Sequence, residues 1–404
     1  MARYNFFPLA SLYRVCYTRV CCIEKSGAAT LTLIFKTLLL LVPLLLFGIA
    51  DICAADWALY RGDASASGRA AEEVTLLAPL KIIWEERLEK GDFLAAPIVV
   101  GNSIFIGSSD EGMKAFDLQT GKSKWTYGIA EMIAAPAVYF EGSVFVGDTT
   151  GVLHAVNATS GERKWMFDTK GTIDNSPNID AQTKRVLIGS QRGTLFALEA
   201  ATGDIVWEYK TENQIRCFPS ITGRYCFVAG CDSYLHVVNL DSGKGNSRIP
   251  LESPTGSTPL LVGDFAFVGT EGKEFLAIDW KQEKIIWRFS MKQPARSPAA
   301  YREGIVVFGG MDRIVYALDA KTGKERWRFN TKGRIEGGAV IVGNKVYVPS
   351  MDSSLYVLDF QTGKQIESRA LTGKLSTSPA VVSNRIIIAT DEGVLTCLQG
   401  EEEK

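Results

Sequence analysis

Beyond residue 79 the apolar positions come in short bursts. In SPAAYREGIVVFGGMDRIVYALDAKTGKERWRF (residues 297–329), IVVFGG and IVYALDA are rich in Val, Ile and aromatics, and Gly, Asp or Thr closes each burst. Alternating bursts of this length between turn formers predict β-strands joined by hairpins. The unit reads as four strands. One follows Pro298, one follows the Glu303-Gly304 turn, one follows Asp312-Arg313, and one follows Thr322-Gly323 and reaches Trp327.

The unit recurs. Trp125, Trp165, Trp207, Trp287 and Trp327 are spaced by 40, 42, 80 and 40 residues, and Ser247 stands in the double gap. The turn glycines Gly121, Gly161, Gly203, Gly243, Gly323 and Gly363 keep the same period. So do Pro97, Pro136, Pro177, Pro219, Pro259, Pro298 and Pro379, with Gly338 completing the last interval. Four strands per repeat of about 40 residues indicate the blade of a β-propeller. Eight strand-one markers predict an all-β, eight-bladed propeller over residues 79–400. The eighth unit stops after its third strand, at residue 400. LKIIWEERL (80–88) carries Trp84, one period before Trp125, and is expected to supply the missing outer strand and close the ring.

Ala115, Ala155, Ala197, Ala277 and Ala317 hold one slot of strand three, with Val237, Val357 and Cys397 as variants. A small residue there admits a large neighbour. Trp84, Trp125, Trp165, Trp207, Trp287 and Trp327 are therefore expected to dock flat against the next blade, near Gly121, Gly161, Gly203 and Gly323. Hiding roughly 150–250 Å² per indole gives several kcal/mol per junction as an upper estimate.

ALDAKTGKERW (317–327), AFDLQTGKSKW (115–125) and ALEAATGDIVW (197–207) resemble the tryptophan-docking motif of the pyrroloquinoline quinone (PQQ) repeat family. The resemblance covers about 79–400. WALYRGD (57–63) is similar to a W-x-x-x-R-G lead found before such repeats in secreted proteins. The family includes quinoprotein dehydrogenases, and also an outer-membrane assembly factor, BamB, which has eight blades and no cofactor. In size and architecture the chain resembles the latter most. The dehydrogenases share a vicinal Cys-Cys ring over the quinone, but here the only such pair, Cys21-Cys22, lies in the N-terminal leader. No repeat is long enough for an inserted cap. The resemblance thus implies no enzyme activity and no cofactor, PQQ and calcium included. It implies a protein-binding scaffold whose partners are envelope proteins, among them a β-barrel insertase. The alternatives are an extracytoplasmic ligand-binding or sensory propeller and a PQQ-dependent oxidoreductase.

Residues 37–50, TLLLLVPLLLFGIA, form an uncharged run behind a basic segment. As a helix they would rise about 21 Å, short of the roughly 30 Å bilayer core. This reads as a secretory signal cleaved after Ala50 or Ala55, or as an uncleaved anchor, within a region 1–55. Ile52 argues against lipidation of Cys53. Export to the periplasm or cell envelope follows, with membrane contact only through this N-terminus. Residues 56–78 form a lead segment and 401–404 an acidic tail. The net charge of -1 gives no reason to expect nucleic acid.

Chemistry is sparse. The two histidines, His154 and His236, share a strand-three slot and are expected to pack. Asp110, Asp148, Asp232, Asp312, Asp352 and Asp391 recur at one turn, where Asp commonly satisfies backbone N–H groups. No CxxC pair points to zinc. Cys217, Cys226 and Cys231 cluster, and either a disulfide or buried thiols fits them. The less repetitive positions lie just before strand one, which lines a propeller's channel. Leu94-Ala95 and Ile133-Ala134 precede two blades. Asp174, Asn175, Arg216, Arg296, Arg334 and Glu336 precede four others and are expected to form a mixed-charge rim that engages a partner.

Overall fold

The computed structural model describes residues 56–71, 74, 76 and 78–400. Residues 1–55, expected to be a signal or anchor, and the acidic tail 401–404 lie outside them. The described chain forms an eight-bladed propeller of antiparallel four-stranded sheets. Blade 1 runs Ile98–Val100, Ser103–Gly107, Met113–Asp117 and Ser123–Tyr127. The short first strands gather around the axis, with Ile98–Val100 beside both Val138–Phe140 and Ala380–Val382. The second and third strands are buried on both faces. The fourth alternates toward solvent, as in Lys284–Ser290. In blade 8 the outer strand is Leu80–Arg87, which pairs antiparallel with Val394–Gly400 from Leu80 opposite Gly400 to Arg87 opposite Val394.

The repeated phrase works by a small–large exchange. Ala115, Ala155, Ala197, Ala277 and Ala317 each lie opposite their blade's Trp on strand four. The indole leans onto the next blade. Its N–H donates to a carbonyl just past that blade's third strand: Trp84 to Leu118, Trp125 to Ala158, Trp165 to Ala200, Trp207 to Leu240, Trp287 to Ala320 and Trp327 to Phe360, at 2.9–3.1 Å. The ring covers the turn glycine there. At Gly121, Gly161, Gly203 and Gly323 a Cβ would come within 2.6–2.7 Å of the indole, and each φ is positive. Glycine is required twice, for the turn and for the close approach.

Two junctions depart from this rule. At Ser247 the indole comes from the other side. Trp280, at the end of blade 5's third strand, packs on Tyr225 and Phe227 of blade 4 with centroids 5.3 and 5.2 Å apart. With no indole arriving, the turn position holds Glu283 instead of glycine. In blade 7, Glu367 takes the Trp position, and its carboxylate accepts the backbone N–H of Leu80 at 3.0 and 3.2 Å. The next blade has no turn at that place, because its outer strand starts there. A carboxylate meets the free N–H where an indole would have met a turn.

The lead segment crosses the axis. Val99, Tyr139, Ile221, Leu261, Tyr301 and Ile341, each the middle residue of a first strand, donate their N–H groups to the carbonyls of Trp57, Ala58, Ala64, Ser65, Ser67 and Gly68. Asn178 of blade 3 reaches Ala64 O through Nδ2 at 3.0 Å. The inner edges of seven blades therefore end on one strap, which satisfies groups that would otherwise be buried without partners. Arg61 pins it. Its guanidinium is fully buried and its Nη2 donates to Ala299 O at 3.0 Å and Ala339 O at 2.6 Å. Burial pulls its pKa down to about 10, so it remains a cation at neutral pH.

Candidate functional site

The strap turns the axial channel into a pocket of about 190 Å³ with Tyr60 and Phe218 among its walls. Their rings meet edge to face at 5.8 Å. Pro136, Pro298, Ser176, Thr258 and Ser378 also line it, each contributed by a first-strand entry. The outer lining is the rim: Leu94, Ala134, Asp174, Arg216, Arg296 and Glu336.

Five of the six charged or polar positions singled out in sequence therefore border one cavity: Asp174, Asn175, Arg216, Arg296 and Glu336. Asn175 differs from the rest in being buried. Its Nδ2 donates to Gly189 O and Ile215 O, both at 3.1 Å, tying blade 3 to the entry of blade 4, while its Oδ1 has no protein partner. Arg334 borders a neighbouring cleft, although its Nε pairs with Glu336 at 2.5 Å. The charges are ordered in pairs around the mouth. Arg216 Nε lies 3.2 Å from Asp174 Oδ2, which also accepts Gln191 Nε2 at 2.7 Å. Arg296 grips Glu271 with two bonds of 2.8 and 3.0 Å, which raises the guanidinium's pKa. Arg216 and Arg296 remain about half exposed. Paired side chains held open to solvent give the mouth a fixed charge pattern, suited to specificity and orientation more than to raw affinity.

The histidines sit between blades. His154 Nε2 contacts Asp148 Oδ2 at 3.0 Å and its Nδ1 meets Tyr127 OH of blade 1 at 3.2 Å. His236 repeats this with Asp232 at 2.7 Å and Tyr209 of blade 3 at 3.0 Å. Blades 6 and 7 place Tyr316 and Tyr356 in the same slot, bonded to Asp312 and Asp352 at 2.8 Å. This is a recurring tie from strand three to its turn, away from the pocket. Burial alone would raise the Asp148 pKa, but bonds from His154, the Val152 N–H and Thr150 outweigh it and lower the value to about 2. A depressed carboxylate contributes stability above its unfolded pKa and loses it as pH falls toward the folded one. Thermal melts of the protein and of Asp148→Asn are thus expected to converge between about pH 4 and pH 2; a gap unchanged over that window contradicts the assignment.

Cys217, Cys226, Cys231 and Cys397 are free thiols. Burial pushes Cys217 and Cys397 up to about 12, so neither is poised as a nucleophile. Among the described residues no three His, Cys, Asp or Glu side chains converge as metal ligands. Sequence reasoning gave no role to Tyr60, Arg61 or Phe218, although the WALYRGD stretch pointed at the first two.

Comparison with known proteins gives three findings. The chain matches the family described as outer membrane protein assembly factor BamB over residues 58–166, 149–248 and 232–402. Its fold resembles BamB from Moraxella catarrhalis (TM-score 0.68, 20% identity, 81% of this chain and 99% of that one). It also resembles the quinohemoprotein alcohol dehydrogenase from Comamonas testosteroni (TM-score 0.74, 14% identity, 86% and 81%). In sequence, a 73-residue segment is 32% identical to the quinoprotein alcohol dehydrogenase PedE of Pseudomonas putida, spanning 18% of this chain and only 12% of that enzyme.

Proposed function

The chain belongs to the family of the outer membrane protein assembly factor BamB, and from that membership we propose that it is a non-catalytic scaffold of the cell envelope. It receives a protein partner at the mouth of its channel and aids outer-membrane protein assembly. The observation that carries this reading is the rim itself. Around a pocket closed behind by the strap, Arg216 pairs with Asp174, Arg296 with Glu271 and Arg334 with Glu336. That arrangement presents a surface to a large partner.

A quinone fits these residues poorly. The pocket behind the mouth, at about 190 Å³, is below the roughly 300–1,000 Å³ usual for small-molecule sites, and the cleft of about 400 Å³ that adjoins it is lined by the paired charges Asp174, Arg216, Glu271 and Arg296 themselves. PQQ carries three carboxylates, and the two arginines at the mouth are already committed to Asp174 and Glu271. Titration with PQQ and calcium is expected to leave the melting temperature unchanged, whereas a site at a hundredfold excess over its Kd adds about 2.7 kcal/mol.

The deciding experiment is a pull-down with the tagged full chain from gently solubilised envelopes. Recovery of an outer-membrane β-barrel insertase is expected, with its yield falling at least tenfold for Arg216→Ala with Arg296→Ala. No stoichiometric partner, or a yield indifferent to those changes, removes the reading.

A further inference from the structure

Beside the channel mouth lies a second cleft, about 490 Å³, bordered by Met311, Met351, Arg313, Lys332, Arg334 and Lys374. We infer that it docks an acidic segment of a protein partner that also carries apolar side chains. The inference rests on reading the rim face as a partner platform.

No carboxylate borders the cleft. The nearby acids are committed elsewhere. Asp352 accepts the backbone N–H groups of Lys332 and Gly333, both at 2.9 Å, and the Tyr356 hydroxyl. Asp312 accepts Ile314 N–H and Tyr316 OH. Glu336 pairs with Arg334, and Asp391 binds the Lys374 backbone N–H at 2.7 Å with the ammonium 3.7 Å away. The side chains of Arg313 and Lys332 have no ion-pair partner among the described residues, and both are exposed. Like charges brought together by separate loops repel one another, and an anion laid between them relieves that repulsion. The two thioethers favour a chain over a bare ion, since Met adapts to whatever apolar side chain arrives. The cations come from loops entering or within blades 6, 7 and 8, a placement that suits an extended segment crossing all three.

The test is fluorescence anisotropy of a labelled short peptide of alternating Glu and Leu, titrated with the full-length protein at low salt. Saturable binding is expected, weakening as salt rises. Arg313→Glu with Lys332→Glu should weaken it at least tenfold. Lys244→Glu, on a distant turn, should leave it unchanged, and a Glu–Ser peptide should bind several-fold less well. Thermal melts establish that each variant is folded. Equal binding by the double variant, or displacement by inorganic phosphate at concentrations matching the peptide's, overturns the inference. A double variant that still captures the envelope partner while the Arg216/Arg296 variant loses it removes the inference and leaves the platform reading standing.

Discussion

A chain lacking residues 79–90 is expected to unfold over a broad range, without the single sharp transition of the parent. The deleted stretch contains Leu80–Arg87, the outer strand of blade 8. Without it, Val394–Gly400 becomes an open edge whose N–H and C=O groups face water or other chains. The loss extends to both neighbours. On one side Trp84 no longer covers Gly121 or donates to Leu118 O. On the other, the Glu367 carboxylate loses the Leu80 N–H that it holds. Burial of one indole contributes several kcal/mol at about 25 cal/mol/Å². Leu80 is itself fully buried in the blade 7–8–1 core. Together these terms are comparable with the roughly 5–15 kcal/mol by which a folded domain exceeds its unfolded state. The strap still holds the inner strands, so partial order around the axis is expected to survive and to melt separately. Urea unfolding followed by tryptophan fluorescence and by circular dichroism decides the matter. Two non-coincident curves are expected. Coincident curves at the parent midpoint contradict the clasp.

The blades were legible in sequence because each is a local object. Its strands are joined by turns a few residues long, and its docking residue lies one period from its partner. That is why three columns of Trp, Gly and Pro sufficed to number eight blades. The exceptions were illegible for the same reason. Nothing near Ser247 announces that Trp280 fills the space from the next blade. Nothing near Glu367 announces a backbone N–H from residue 80. The strap is the extreme case: Arg61 bonds carbonyls 238 and 278 residues away, and no period connects them. The rim was half legible. Positions just before strand one recur with the repeat, so Asp174, Arg216, Arg296 and Glu336 were found together. Arg334, two residues before Glu336, enters a loop that turns toward Met351, and its cleft draws on strand two–three loops outside that column.

Trp207→Ala is expected to cost about 3–5 kcal/mol, the usual range for removing a large aromatic from a packed core. Trp207 is buried, faces Ala197 within its own blade and packs over Gly243 of the next, where a Cβ would lie 2.7 Å from the ring. Truncation leaves a void between blades 3 and 4 that two backbones fixed by sheet bonding cannot close. The hydrogen bond contributes less to the cost. Leu240 O, which accepts the indole N–H, also accepts Arg185 Nη1 at 2.9 Å, so the carbonyl is not orphaned when the indole goes. A companion substitution separates packing from backbone strain. Gly243→Ala in the parent meets both the indole and a φ of 68°. In the Trp207→Ala background only the φ penalty remains, about 1 kcal/mol. The two changes should therefore couple by 1 kcal/mol or more in a double-mutant cycle measured by urea unfolding. Additivity within about 0.5 kcal/mol, or a cost below about 1 kcal/mol for Trp207→Ala alone, would mean that the indole does not hold the blades together. The repeated phrase would then be a turn signal and no more. Strong coupling would establish that each repeat is written for its successor, with the glycine of one blade kept bare for the tryptophan of the one before.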